Sequence, residues 1–574
     1  MGRAWVRRAG RALLLAALSL TVSSLSVFSS ALAAGGGWVA RPAGDLAAEA
    51  AAAAVPVAGA IFLLDRLVGR PPRPDGRGGA GAAGGRAARG GLRAAPDIPS
   101  PGARGTVLAA TLIFACWAFW LVAYYPGSMN FDTYYQITQC YPASSPVHLD
   151  IDTVWAVPAG YRFSDHHPIF DTLVYGAFAR ASEALTGSWD PGLFALAALQ
   201  CAGTAAAFAY ALGRLRAMGA PACLCRGALA FICLVPAYGN YSSTVLKDML
   251  HSGIYVLWLA QLLEVARTRG RALKRPRLMA ATFAVACLLA LTRKTGLYVV
   301  APTLALLAAC YRAGRARLAL QALGVALLMW GVLPNIVFPA LNVAPGGRQE
   351  AMGALFQQTA RFARDHPGEE TADERAAIDR VLGYGDLAAR YVPQWADPVK
   401  YGYNGGATAG DLTRYLEAWA AQGARRPGTY AEAVLANVRG FFDPADRMRP
   451  FDVTFDRESG GTRLISRPQG LAGMREAAGK AWGALAGAPV AGLALCAAAY
   501  TLWVPALAVF SLARRGRARW LPLLAPTLLT CASLLLSPMA DPRYALPLVY
   551  AAPLTVCLLG AAARGGADAA HRSA

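Results

Sequence analysis

Residues 124–168 read YYPGSMNFDTYYQITQCYPASSPVHLDIDTVWAVPAGYRFSDHHP, a polar and aromatic loop set into an otherwise apolar chain. The apolar run before it, Thr106 to Tyr124, is long enough to cross a bilayer. Long loops inside a compact bundle are usually functional, and Asp132 sits in the first turn of this one, where an unpaired carboxylate beside a membrane is costly. The helix that follows the loop, Pro168 to Leu185, either crosses the membrane or lies along its surface. That choice sets the side of every later connection.

The composition supports a membrane setting. Of 574 residues, 56% are apolar and only 16% are charged, which points to a polytopic membrane protein. The net charge of +21 raises nucleic acid as a partner. No folded polar segment interleaves basic residues with base-stacking aromatics, so nucleic acid is not expected. The arginines instead cluster between apolar segments, the pattern of cytoplasmic loops. Of 11 cysteines, eight fall in apolar segments, and neither a disulfide framework nor a zinc-spaced pair is evident.

Outward from the loop, the N-terminal side divides into residues 1–68, a basic signal-like or anchoring segment plus a second transmembrane helix, and residues 69–105, a Gly/Pro/Arg-rich cytoplasmic linker with almost no apolar content. Residues 106–341 form the transmembrane core, with the external loop at 125–190. Core spans are expected at 106–124, 191–213, 222–240, 247–266, 278–292, 296–311, 318–340, 487–512, 520–538 and 543–563. With these spans, the basic runs at Arg214 and Arg216, Arg267 to Arg277, Arg312 to Arg317 and Arg514 to Arg519 share one side only if the helix after Pro168 is interfacial. Its Asp171, Arg180 and Glu183 are then expected to face solvent. Residues 342–486 lie outside as a small helical domain that holds 18 of the 34 acidic residues, with helices expected over Glu350 to Asp365, Ala372 to Val381, Leu412 to Gln422 and Pro427 to Gly440. Residues 487–564 complete the bundle, and 565–574 form a cytoplasmic tail. The fold class is therefore an all-α polytopic membrane protein of about 10–12 transmembrane helices.

On this topology, unusual residues collect on the outer face. Asn130, Asp132 and Tyr135 open the loop and Asp165, His166 and His167 close it; Tyr241, Lys247, Asp248, Arg293, Lys294, Tyr298, Asp541, Arg543 and Tyr544 lie in turns at the same level. Cations there run against the positive-inside bias. Lys247, Arg293, Lys294 and Arg543 suit a phosphate held by point charge and guanidinium fork. The plain alternative is that each snorkels to headgroups or pairs with a neighbouring acid such as Asp248 or Asp541. Asp132 has the character of a general base, against the alternative of a helix N-cap. Adjacent histidines do not face one metal ion on a helix, so His166 and His167 read as the entry to the interfacial helix. No P-loop, G-x-S-x-G, H-E-x-x-H or dinucleotide glycine pattern is present, and no cofactor is expected.

The order of NFDTYY, DHHPIFDTLVYG, LTGSWDPGLFALAAL, KDML, LTRKTGLYV and PRYALP resembles the GT-C superfamily of integral-membrane glycosyltransferases, which includes protein mannosyltransferases and the lipid A aminoarabinose transferase. FQQTARFARDHPGEET, YVPQWADPVKYGYNG and RRPGTYAEAVLANVRGFFDP are similar to an uncharacterised bacterial family of multispanning proteins. The resemblance implies a GT-C-like bundle in a bacterial plasma membrane with its site on the extracytoplasmic face. It implies transfer of a sugar, with inversion, from a polyprenyl-phosphate donor to a cell-wall glycan or surface polymer. Asp132 would be the catalytic base. Lys247, Arg293, Lys294 and Arg543 would hold the donor phosphate, and Asn130, Tyr135, His166, His167, Asp248, Tyr298 and Tyr544 would contact substrate. The second acid that often accompanies the first-loop carboxylate for metal binding is not evident beside Asp132. The competing expectation is a non-enzymatic transporter or flippase of lipid-linked glycans.

Overall fold

The computed structural model describes residues 2–39, 41–69, 98–145, 147–148, 157–453 and 465–564. The basic linker lies largely outside these residues, as do the C-terminal tail and part of the opening loop. The main helices described before the polar segment are α1 (Gly2–Ala34), α2 (Ala43–Val68), α3 (Ala103–Ala123), α4 (Phe131–Thr138), α5 (Ile169–Thr186), α6 (Asp190–Ala217), α7 (Ala222–Leu234), α8 (Pro236–Ser242), α9 (Lys247–Arg267), α10 (Pro276–Thr292), α11 (Gly296–Cys310) and α12 (Arg315–Leu327). The described strands are two residues each, β1 (Phe163–Ser164) and β2 (Val343–Ala344), paired in parallel. The chain is an all-α, multi-pass membrane protein.

Among the described residues, seven helical stretches are long and apolar enough to cross a membrane: Arg8–Ala34, Ala43–Val68, Ala103–Ala123, Asp190–Ala217, Lys247–Arg267, Arg312–Leu341 and Pro542–Arg564. The pair α7 and α8 makes an eighth if it acts as one span bent by 57°. The bend falls at Val235-Pro236, because proline removes an N–H and pushes the preceding residue out of helical geometry. The other four expected spans differ. Helices α10 and α11 and the stretch Ala499–Arg514 are apolar but short. The segment expected at 520–538 is a 3-10 stretch, Ala518–Leu524, followed by the helix Ala525–Leu534. Pro522 and Pro526 explain the break. Helix α5 is not among the stretches apolar enough to cross.

The core is built on α3, α6, α9 and the C-terminal helix Leu546–Arg564. That last helix is apolar on all sides, and 94% of the apolar window of its span is buried, as expected for a central stave. Trp117 meets Phe208 edge-on, Tyr238 stacks on Tyr550 at 5.1 Å, and Tyr238 donates to the Val549 carbonyl at 2.7 Å. Large apolar residues on the outer helices, such as Leu234, Leu323, Trp330 and Ile336, point away from the bundle, where lipid rather than water is their solvent.

The polar segment after β2 has a core of its own around Phe356, Ile378, Val381, Tyr403 and Tyr415. Its helices Gln349–Asp365, Ala372–Leu382, Ala409–Arg425 and Pro427–Val438 follow the periodicity closely. Two of them start on reciprocal capping boxes, Thr371 with Glu374 and Thr408 with Asp411. From Val438 onward the chain rejoins the main core, with Trp482 donating to the Met448 carbonyl at 2.9 Å. The turn between α1 and α2 docks on this segment: buried Arg361 donates to the Gly37 carbonyl at 3.1 Å and stacks on Trp38 at 4.4 Å.

Candidate functional site

Local chemistry first fixes α4. Asn130 is its N-cap, accepting from the Thr133 N–H at 3.3 Å, so Asp132 is not the cap. Thr133 donates to the Val245 carbonyl at 2.7 Å, and Gln136 donates to Thr172 of α5 at 3.0 Å. Gly176 of α5 faces Cys140 so closely that a Cβ there would lie 2.1 Å from its Sγ. The pairing of β1 with β2 then brings the end of the loop, with His166 and His167, against the start of the polar segment. His166 faces Glu350 at 3.8 Å, and Glu350 also binds Lys400 at 2.7 Å.

With α4 held this way, Asp132 meets three distant residues. Its Oδ2 lies 3.0 Å from Arg543 Nη1 and 3.4 Å from Lys247 Nζ, and its Oδ1 lies 3.8 Å from His167 Nε2. Burial alone would raise the pKa of Asp132, but the charges of Lys247 and Arg543 outweigh it and hold the carboxyl well below the usual carboxylate range. Lys247 Nζ is 2.7 Å from His167 Nδ1. An ammonium has only donors, so His167 Nδ1 accepts and its proton sits on Nε2, towards Asp132. Burial, then Lys247, keeps His167 neutral, with a pKa well below the ordinary histidine value.

Arg543 is itself held by Asp541 at 3.2 Å and by the Tyr544 hydroxyl, which accepts at 3.1 Å. Asp248, in the first turn of α9, is buried between Arg293 at 3.7 Å and Arg543 at 3.9 Å. Arg293 donates to the Tyr544 carbonyl at 3.2 Å and sits over its ring. Lys294 pairs with Asp165 at 3.0 Å.

Of the two expectations for these cations, free for a phosphate or paired with neighbouring acids, the resting geometry has the pairing. Each of Lys247, Arg293, Lys294 and Arg543 has a carboxylate within 4 Å, because burying several unpaired cations would cost several kcal/mol each, roughly. A correction concerns α5. Asp171, expected to face solvent, is fully buried, since its face of α5 packs on α4 and α6 while Leu173 and Leu185 point outward. Among the described residues its oxygens have no hydrogen-bond partner, and burial raises its pKa well above the ordinary carboxylate value. Tyr175, one turn on, is also buried with an unpartnered hydroxyl. The spacing Asp171, Tyr175 placed both on one face; the assumption of a wet helix hid that.

Of the twelve sequence candidates, Asp132, His167, Lys247, Asp248, Arg293, Arg543 and Tyr544 form one connected cluster. Asn130 caps α4, and Tyr135 is buried and stacked on Phe131 at 6.1 Å. Lys294 and Tyr298 stand apart with Asp165, Phe170 and Trp330 around a mostly apolar cavity of about 170 Å³ on the flank of the bundle. Tyr298 and Trp330 are more than 60% exposed there, so the cavity adjoins the lipid-facing surface. Among the described residues, no group of three or more His, Cys, Asp or Glu is gathered as metal ligands.

A family model covers residues 103–573, most of the chain and all of this site. The protein belongs to DUF6020, a family of unknown function. No curated protein and no solved structure matches it. Family membership thus spans everything from α3 onward and assigns none of it an activity.

Proposed function

We propose that this DUF6020 member is a membrane glycosyltransferase that moves a sugar from a polyprenyl-phosphate donor to a cell-envelope acceptor at the outer membrane face. The observation that carries the reading is Asp132 held between Lys247 and Arg543. In the resting site Asp132 is ionised but a weak base, because two cations hold its charge. A donor phosphate entering the cluster draws Arg543 and Lys247 to itself, and Asp132 becomes more basic as they leave it.

The acceptor hydroxyl then loses its proton to Asp132 as its oxygen bonds to the anomeric carbon from the face opposite the phosphate. The carbon–oxygen bond to the phosphate breaks, and the lipid phosphate leaves with that electron pair, its added charge met by Arg543 and Lys247. Inversion follows from the single displacement. The lipid chain lies along the cavity of Lys294, Tyr298 and Trp330, and the polar segment after β2 holds the acceptor, a cell-wall glycan or surface polymer. The test is a comparison of envelope glycans by mass spectrometry between wild-type cells, a deletion strain and the deletion strain carrying Asp132→Asn. Loss of one sugar in both mutants supports the reading; its persistence overturns it.

The competing reading, a transporter or flippase of lipid-linked glycans, is favoured by buried Asp171, whose pKa burial raises and which suits proton coupling. Movement of a fluorescent lipid-linked glycan across proteoliposomes, without sugar transfer, would select it.

A further inference from the structure

The end of the bundle opposite Asp132 holds a second built feature. Helix α9 starts at Lys247 and ends at Arg267, so the two ends lie about 30 Å apart. At the far end a cavity of about 600 Å³ opens between spans, walled by Met218, Arg267, Arg269, Tyr311, Arg519 and Trp520. Its volume is that of a small-molecule site. Arg267 is committed to Glu264, which also binds Arg214. Arg269 and Arg519 have no carboxylate partner among the described residues, although both line the same cavity.

The protein holds these two arginines in place at some cost. Arg269 adopts a left-handed backbone, φ 50°, which an arginine rarely adopts. Gly270 follows it at φ 84° and packs directly on Gly314, where a Cβ would lie 2.7 Å from backbone. Tyr311 donates to the Arg519 carbonyl at 3.1 Å, and the Arg519 guanidinium lies 5.2 Å from the Trp520 ring centre. The C-termini of α6, α9 and α11 abut the cavity and take up part of the positive charge. A strained backbone and two guanidinium groups with no acid remain, one of them stacked on an aromatic wall.

We propose that this cavity binds a phosphate ester, with Arg269 and Arg519 as the anion-binding forks and the membrane lipid of the arginine-rich leaflet as its source. The guanidinium fork matches phosphate oxygens in pairs. The alanine and methionine walls accept the glycerol end of an anionic headgroup. The site is independent of the Asp132 chemistry.

The test uses the full chain in nanodiscs of phosphatidylcholine with or without phosphatidylglycerol, and in detergent with inorganic pyrophosphate. Native mass spectrometry and melting temperature are the readouts. The expected result is retained phosphatidylglycerol and a raised melting temperature, both lost in the double variant Arg269→Ala/Arg519→Ala, with retention falling roughly tenfold or more. Ala518→Trp fills the cavity from an exposed position while keeping every charge, and it should lose the lipid as well. Arg312→Ala, at the same end but outside the cavity, should keep it. Binding of pyrophosphate alone, removed by both variants, supports the phosphate site with a soluble source. Lipid retention that survives Ala518→Trp, or binding of neither probe, overturns the proposal.

Discussion

Arg543 Nη1 stands 3.0 Å from Asp132 Oδ2 across 411 residues of chain, joining the last span of the bundle to the first loop of its core. The contact puts a buried guanidinium and a partly exposed carboxylate in the same hydrogen bond. Neither residue is committed to the other alone, since Arg543 also reaches Asp541 and Asp248 and Asp132 also reaches Lys247.

Asp132→Asn should lower sugar transfer by about 100-fold or more, the usual contribution of a positioned general base. The fold should survive, because Arg543 keeps Asp541 and Lys247 keeps His167. Transfer by purified protein, read against detergent-solubilised yield and melting temperature, separates the two effects.

Arg543→Ala should behave differently. It leaves Asp132, Asp248 and Asp541 short of a partner in a buried site, so stability should fall by about 3–5 kcal/mol. Arg543→Lys should restore most of the stability but not the paired hydrogen bonds, leaving the donor KM raised by about tenfold. Donor titration of the Lys variant is the decisive measurement.

Acid should destabilise the site through its histidines. Burial lowers the pKa of His166 from 6.5 to about 4 and holds that of His167 well below 6.5, so each contributes stability that is complete above pH 6.5. That stability drains away as pH falls from 6.5 towards 4, because the unfolded chain binds the protons first. For His166 the full loss is about 3 kcal/mol. Melting temperatures at pH 7.5, 6.5, 5.5 and 4.5 should fall in wild type and fall less in His166→Gln.

Gly176→Ala should destabilise the protein by about 1–3 kcal/mol and reduce transfer, since the new methyl collides with Cys140 and pushes α5 from α4. Gly203→Ala, with open space around its Cβ, is the matched control and should leave melting temperature and transfer unchanged.

Cysteines placed at Leu416 and Arg271 test the sidedness. An impermeant maleimide should label residue 416 in intact cells and residue 271 only after permeabilisation. The reverse pattern would put the Asp132 cluster at the cytoplasmic end.

Much of this molecule is legible along the chain. Helix periodicity placed the four helices of the polar segment to within a few residues, and hydropathy located the long spans, because both depend on neighbours a few positions away. Short helices such as Ala525–Leu534 were read too long, since hydropathy does not register how Pro522 and Pro526 break the backbone. Asp171 was read as wet because polarity within one helix does not reveal what packs against it; the partner face belongs to α4 and α6.

The sequence by itself determined an all-α membrane protein and singled out the few charged residues whose presence in apolar turns needs a reason. Only the tertiary structure decided what those charges do to one another. The sequence left open whether Lys247, Arg293, Lys294 and Arg543 are free or paired, and the fold pairs all four, Arg543 with Asp132 foremost. Charge pairing acts through a few ångströms of space, and the acids that neutralise these cations are supplied by segments that are near neighbours only after the bundle has closed.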